Sequence, residues 1–71
     1  MSNTSLSITV NGNARSCEAG ATIAQLLTQL DTAGKRVAVE RNGEIVPKSL
    51  HSVTELVGGD RLEIVVAVGG G

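Results

Sequence analysis

Apolar and polar residues alternate from Leu6 to Val10, with Ser7 and Thr9 between Leu6, Ile8 and Val10. A period of two is that of a strand with one face buried. Asn11-Gly12 follows directly. A two-residue type I′ turn needs positive φ at both central positions, which asparagine and glycine tolerate, so the chain is expected to double back. The return strand falls near residues 13–18, where Ala14, Ser16 and Glu18 alternate more weakly with Arg15 and Cys17. The period then changes. Ile23, Leu26, Leu27 and Leu30 lie at i, i+3, i+4 and i+7, one apolar stripe of a helix, with Gln25, Thr28 and Gln29 on the other side. Thr22 and Gln25 have the spacing of a capping box. Gly34 suits the position just past a helix, with Lys35 and Arg36 near the negative end of its dipole. The pattern predicts a helix over about residues 22–32.

Val37 to Glu40 reads as a third strand, Asn42-Gly43 as a second hairpin turn and Glu44-Ile45-Val46 as a short fourth strand. Pro47 has no N–H to give to a ladder, so this strand is expected at an edge. Residues 48–58 mix Leu50, Val53, Leu56 and Val57 with polar positions, enough for a single helical turn. Gly58-Gly59-Asp60 turns the chain into a last strand, with Leu62, Ile64, Val66 and Val68 on one face and Val65 and Ala67 on the other. Its nearly unbroken apolar character predicts a central place in the sheet. One helix covers one face only, so the expected architecture is a two-layer α+β domain. The order of elements matches a β-grasp: a mixed sheet of four to five strands, the last beside and parallel to the first. The single domain is expected over residues 1–68, with residues 1–5 loose and residues 69–71 a flexible tail.

Composition narrows the function. The chain has 71 residues, one cysteine and one histidine, so neither an internal disulfide nor a Cys/His zinc site is available to support it. It contains no Phe, Tyr or Trp and hence no platform for stacking single-stranded bases. A net charge of -1 with dispersed Lys and Arg makes no phosphate-tracking stripe, so nucleic acid is not an expected partner. No apolar run has the length of a membrane span, and Met1 to Ser5 has neither the basic nor the apolar part of a signal peptide. A free thiol fits the reducing cytoplasm.

Candidate chemistry is sparse. Cys17 has no local nucleophile signature and reads as a small core residue. His51, the one imidazole, reads as a surface or loop-packing residue. Gly58-Gly59-Asp60 lacks the Lys-Ser or Lys-Thr of a phosphate-binding loop and reads as a turn. Glu40, Glu44, Glu55, Asp60 and Glu63 fit a solvated surface, and the acids near the tail could also meet a basic partner. What remains is the α-carboxylate of Gly71. Gly69 and Gly70 carry no Cβ, so this end can enter a channel too narrow for side chains. Three extended residues reach roughly 10 Å. A frayed terminus has the same composition, and the tail alone does not decide between the two.

Two stretches carry a family resemblance. Val39-Glu40-Arg41-Asn42-Gly43-Glu44-Ile45-Val46-Pro47 looks like the central hairpin of the ThiS family, the ubiquitin-like sulfur carrier proteins of thiamine biosynthesis. Asp60-Arg61-Leu62-Glu63-Ile64-Val65, followed by Val68-Gly69-Gly70-Gly71, looks like that family's last strand and tail. The resemblance implies that the chain is a carrier and not an enzyme, and that it binds no cofactor of its own. A ThiF-type, E1-like adenylyltransferase would use ATP to adenylate the carboxylate of Gly71, with Gly69 and Gly70 threading to the nucleotide. A sulfur donor such as a cysteine desulfurase or rhodanese-type protein would convert the adenylate to a thiocarboxylate, making Gly71 a 1-thioglycine. Thiazole synthase would take the sulfur. Partners are expected to dock on the face bearing Val65 and Ala67, which the helix leaves uncovered. Alternatives are the small subunit of molybdopterin synthase, whose members are usually longer and carry aromatic residues, a ubiquitin-type modifier, and a passive ubiquitin-like interaction domain.

The matching periods of two and 3.6 place Leu6, Ile8, Val10, Ile23, Leu26, Leu27, Leu30, Leu62, Ile64 and Val66 in one core. Leu27→Ala is expected to cost about 2–5 kcal/mol, read as a lower urea midpoint; an unchanged midpoint would contradict this core.

Overall fold

The computed structural model describes residues 5–32 and 35–67. Its elements are β1 (Ser5–Val10), β2 (Asn13–Glu18), α1 (Ile23–Gln29), β3 (Val37–Arg41), β4 (Glu44–Val46), a single 3₁₀ turn (Lys48–Leu50) and β5 (Arg61–Val66). The sheet runs β2-β1-β5-β3-β4. Only the β1–β5 pair is parallel. β5, the most continuously apolar strand, is central as expected, and β4, followed by Pro47, lies at an edge. With α1 on one face this is the mixed β-grasp sheet that the order of elements predicts.

Both Asn-Gly pairs form their turns, with φ of 52° and 85° at Asn11 and Gly12 and of 52° and 87° at Asn42 and Gly43. The asparagine side chains do more than permit the turn. β1 pairs with β5 only at Thr9–Arg61 and Val10–Leu62. Beyond that the Asn11 side chain replaces a strand: Nδ2 donates to the Ile64 carbonyl at 3.1 Å and Oδ1 accepts from the Ile64 N–H at 2.8 Å. On the other side of β5, Asn42 Oδ1 accepts from the Arg61 N–H at 2.9 Å, and the Asn42 N–H donates to the Arg61 carbonyl at 2.8 Å.

The predicted capping box is present: Thr22 Oγ1 accepts from the Gln25 N–H and Gln25 Oε1 accepts from the Thr22 N–H. The loop before β5 completes this helix end, because the carbonyls of Thr54 and His51 accept from the N–H groups of Ile23 and Ala24, two donors with no partner inside the helix. At the other end the expectation fails. α1 stops at Gln29 instead of near residue 32, and Asp31, not Gly34, takes the left-handed position past the helix, with φ of 61°. Asp31 N–H donates to the Thr28 carbonyl and Thr32 N–H to the Leu27 carbonyl, the paired bonds of a Schellman ending. Aspartate tolerates this conformation better than most side chains, and Thr32 Oγ1 adds a 2.8 Å bond to the Leu27 carbonyl. Gly34 lies outside the described residues.

Of the expected core, Ile8, Val10, Ile23, Leu26, Leu27, Leu62 and Ile64 are buried, while Leu6, Leu30 and Val66 are half-buried. Cys17, Val39 and Leu56 complete it. Leu56 enters from the irregular segment, held by a 2.8 Å bond from its N–H to the Ala21 carbonyl. Ser5, expected in a loose leader, already pairs opposite Glu18. β5 ends at Val66, short of the expected Val68, which lies outside the described residues.

Asn11→Gly retains a turn-compatible residue and deletes only the side-chain clamp on Ile64. Two lost hydrogen bonds predict a loss of about 1–3 kcal/mol in urea unfolding; stability equal to wild type would show that the clamp contributes nothing.

Candidate functional site

The sequence singles out Gly69, Gly70 and Gly71, and all three lie outside the described residues. The structure describes the root from which they continue. Val66 pairs opposite Val37, and the Ala67 N–H donates to the Arg36 carbonyl at 2.9 Å. The chain therefore leaves the sheet from its central strand, with the start of β3 beside it.

On the sheet face away from α1, Val65 is 63% exposed and Ala67 is exposed as well. The register puts Ala38 directly opposite Val65 and Ile45 opposite Glu40. Ile45, on the edge strand, is 64% exposed on the same face, with Glu40 between it and β5. Sequence reasoning missed Ala38 and Ile45 because only the register assigns them to this face. Glu40 and Glu63 face each other across the same two strands. Like charges so placed repel, and solvation of the exposed Glu63 relieves part of the cost.

The side chains weighed for catalysis are occupied otherwise. Asp60, expected on a solvated surface, is buried at 4% exposure. Its Oδ2 accepts from the Val57 N–H at 2.8 Å and from Arg41 Nε at 3.0 Å, and its Oδ1 accepts from Asn42 Nδ2 at 3.1 Å. It ties the loop before β5 to the β3–β4 turn. The bond to Val57 is local to the turn, whereas those from Arg41 and Asn42 come from 19 and 18 residues away. His51 is buried, which corrects the surface alternative and leaves the loop-packing one. Its Nε2 lies 3.0 Å from the Val46 carbonyl, an acceptor only, so this nitrogen carries the proton.

Cys17 is a buried core residue, as the sequence suggested. Burial pushes its thiol above the ordinary value, the Asp60 charge adds to the rise, and Arg15 offsets part of it. Among the described residues, thiol and imidazole are both committed to packing, and neither shows the base-and-orienter arrangement of nucleophilic catalysis. No helix among these residues is long and apolar enough to cross a membrane.

With this geometry in hand, comparisons with known proteins are informative. The model of the ThiS family matches residues 8–71, a stretch that includes the glycine tail. A thiazole synthase from Paramagnetospirillum magneticum is 44% identical over 66 residues, covering 93% of this chain and 20% of that protein. The chain thus spans about a fifth of the length of this relative. Uncharacterized protein ycf40 of Pyropia yezoensis is 38% identical over the full length of both chains. The crystal structure of a thiamine biosynthesis protein, ThiS, from Geobacter metallireducens superposes with a TM-score of 0.77 at 30% identity, covering 93% of this chain and all of the other.

A thiol whose folded value is raised keeps its proton where the unfolded chain has lost it. Its contribution to stability is therefore full below the ordinary thiol value, about 8.5, and falls as pH rises from there toward the folded value. Relative to Cys17→Ala, the wild type is expected to lose stability as pH rises above the ordinary thiol value. Iodoacetamide should label it slowly until urea unfolds the chain. Rapid labelling of the folded protein near neutral pH would mean an accessible thiolate.

Proposed function

Because the chain belongs to the ThiS family, we propose that it is a sulfur carrier of the thiamine pathway, loaded at the carboxylate of Gly71. The observation that carries this reading is the family match running through the glycine tail, on a domain whose central strand leads into that tail. The occupied state of Cys17, His51 and Asp60 supports it, since the chemistry then falls to the main-chain terminus.

A carboxylate is a poor acyl donor because its charge is delocalised and its leaving group would be oxide. In the proposed cycle a carboxylate oxygen of Gly71 attacks the α-phosphorus of ATP in an E1-like, ThiF-type adenylyltransferase, and pyrophosphate leaves. The terminal sulfur of a persulfide, carried by a cysteine desulfurase or rhodanese-type donor, then attacks the carbonyl carbon, and AMP leaves an acyl disulfide. A thiol attacks the donor-side sulfur of that disulfide, forms a disulfide with the donor and releases the terminal sulfur on Gly71. The product is the thiocarboxylate, which thiazole synthase consumes. The carrier binds no cofactor; ATP belongs to the activating enzyme. Gly69 and Gly70 let the backbone reach the nucleotide with no Cβ to clash. A relative named thiazole synthase holds a stretch like this chain inside a longer polypeptide, which supports pairing carrier with synthase. The relatives' names point to thiazole chemistry and give no support to the molybdopterin alternative. The exposed surface of Val65, Ala67 and Ile45 is the proposed docking face for both enzymes, because it adjoins the tail root.

Removing Gly71 shortens the reach by about 3.5 Å and takes the carboxylate out of line with the α-phosphate. Adding one alanine after Gly71 puts a side chain where the channel is narrowest. After incubation with a ThiF-type enzyme, ATP and a sulfur source, intact mass should show sulfur replacing oxygen in the wild type and in Cys17→Ala but in neither tail variant. Val65→Asp should fold yet load poorly at limiting enzyme. Loading of the extended variant at the wild-type level would remove Gly71 from its assigned role.

A further inference from the structure

On the helix side of the sheet, a cleft of about 680 Å³ lies between α1, the approach to β3 and the segment from Lys48 to Ser52. Ala24, Leu27 and Val37 contribute its apolar walls, and Lys35, Arg36 and Lys48 its charge. Among the described residues, no carboxylate lines it. Three of the six Lys and Arg residues of a chain with net charge -1 are thus gathered at one place. All three are exposed, and the ion pair seen among the described residues, Arg41–Asp60, involves none of them. Clustered like charges repel one another, and an anionic occupant relieves that repulsion.

The apolar walls select among anions. A small inorganic anion would satisfy the cations and gain nothing from Leu27 and Val37. A peptide segment carrying both carboxylates and aliphatic side chains matches the whole lining. Position selects among proteins. Arg36 accepts the Ala67 N–H through its carbonyl, and Val37 is opposite Val66, so the cleft borders the root of the tail. An enzyme that draws the tail into its active site must lie over this region. We infer that the cleft docks an acidic, aliphatic segment of the enzyme that activates the tail. The segment's chemistry rests on the cleft alone; assigning it to the activating enzyme rests on the carrier reading above. Together with Val65 and Ile45 on the opposite face, the enzyme would grip the root from both sides of the sheet. The cleft's share of the binding should weaken with salt, and the apolar share should not.

The test uses the full chain, labelled with nitrogen-15, and a short peptide alternating Glu and Leu. Amide shifts are expected at Ala24, Leu27 and Lys35 to Val37. Lys48→Glu should weaken this binding about tenfold, and Arg61→Glu, which changes net charge equally but lies outside the cleft, should leave it unchanged. The same peptide with Lys in place of Glu should not bind. Equal weakening by both variants would reduce the effect to net charge, and pyrophosphate shifting the same amides at the same concentration would make the cleft a free-anion site; either result overturns the proposal. With the ThiF-type enzyme, Lys48→Glu should raise the carrier concentration giving half-maximal ATP–pyrophosphate exchange and leave the saturated rate unchanged. If the wild type supports no exchange at all, the carrier reading fails, while the peptide titration still decides the cleft.

Discussion

The structure depends on keeping β5 in the middle of the sheet. Its two neighbours are β1, from the start of the chain, and β3, from its middle, and its parallel partner β1 reaches only its first two residues. Both Asn-Gly turns make up the difference. Asn11 continues the β1 ladder with its side-chain amide, and Asn42 holds the first peptide of β5 from the other side. Asp60 joins the system from beneath, with hydrogen bonds to Arg41, Asn42 and Val57. A buried carboxylate is costly unless its oxygens are occupied, and here both are. These contacts span up to 53 residues and close the domain without disulfide or aromatic residue.

A central last strand has a functional consequence. The segment that follows β5 starts from the central strand of the sheet, so its point of departure is fixed. The sheet divides the surroundings of that point in two. Away from α1 lie Val65, Ala38 and Ile45 with the opposed Glu40 and Glu63. On the helix side lie the cations of the cleft. The two sides thus present unlike chemistry around one root. The outer strands are managed by other means, β4 by its three residues and the proline that ends it.

The reactive-looking side chains show how a small domain uses polar groups for construction. His51 contributes its ring to the Val46 carbonyl and its own carbonyl to the start of α1. Cys17 turns from the edge strand β2 into the core, and burial is the first cause of its raised thiol value. With so few residues, each buried polar group joins segments that apolar packing alone would leave in uncertain register.

Much of this protein was legible from its residues in order. The strand and helix periods, the capping box of Thr22 and Gln25, the two Asn-Gly turns, the edge position before Pro47 and the central place of β5 are all set by neighbours within a few residues. So was the family, because the hairpin through Pro47 and the strand leading to the glycines are contiguous motifs. Other features required the folded chain. The helix ends at Gln29 because Asp31 takes the left-handed position and the N–H groups of Asp31 and Thr32 find carbonyls of the last turn. Asp60 is interior and Leu56 joins the core because segments distant in sequence close over them. Lys35, Arg36 and Lys48 become one site only when the 3₁₀ turn is brought against the approach to β3. Local pattern determines which face a residue prefers. Which distant groups meet on that face is decided by register and closure, and these exist only in three dimensions.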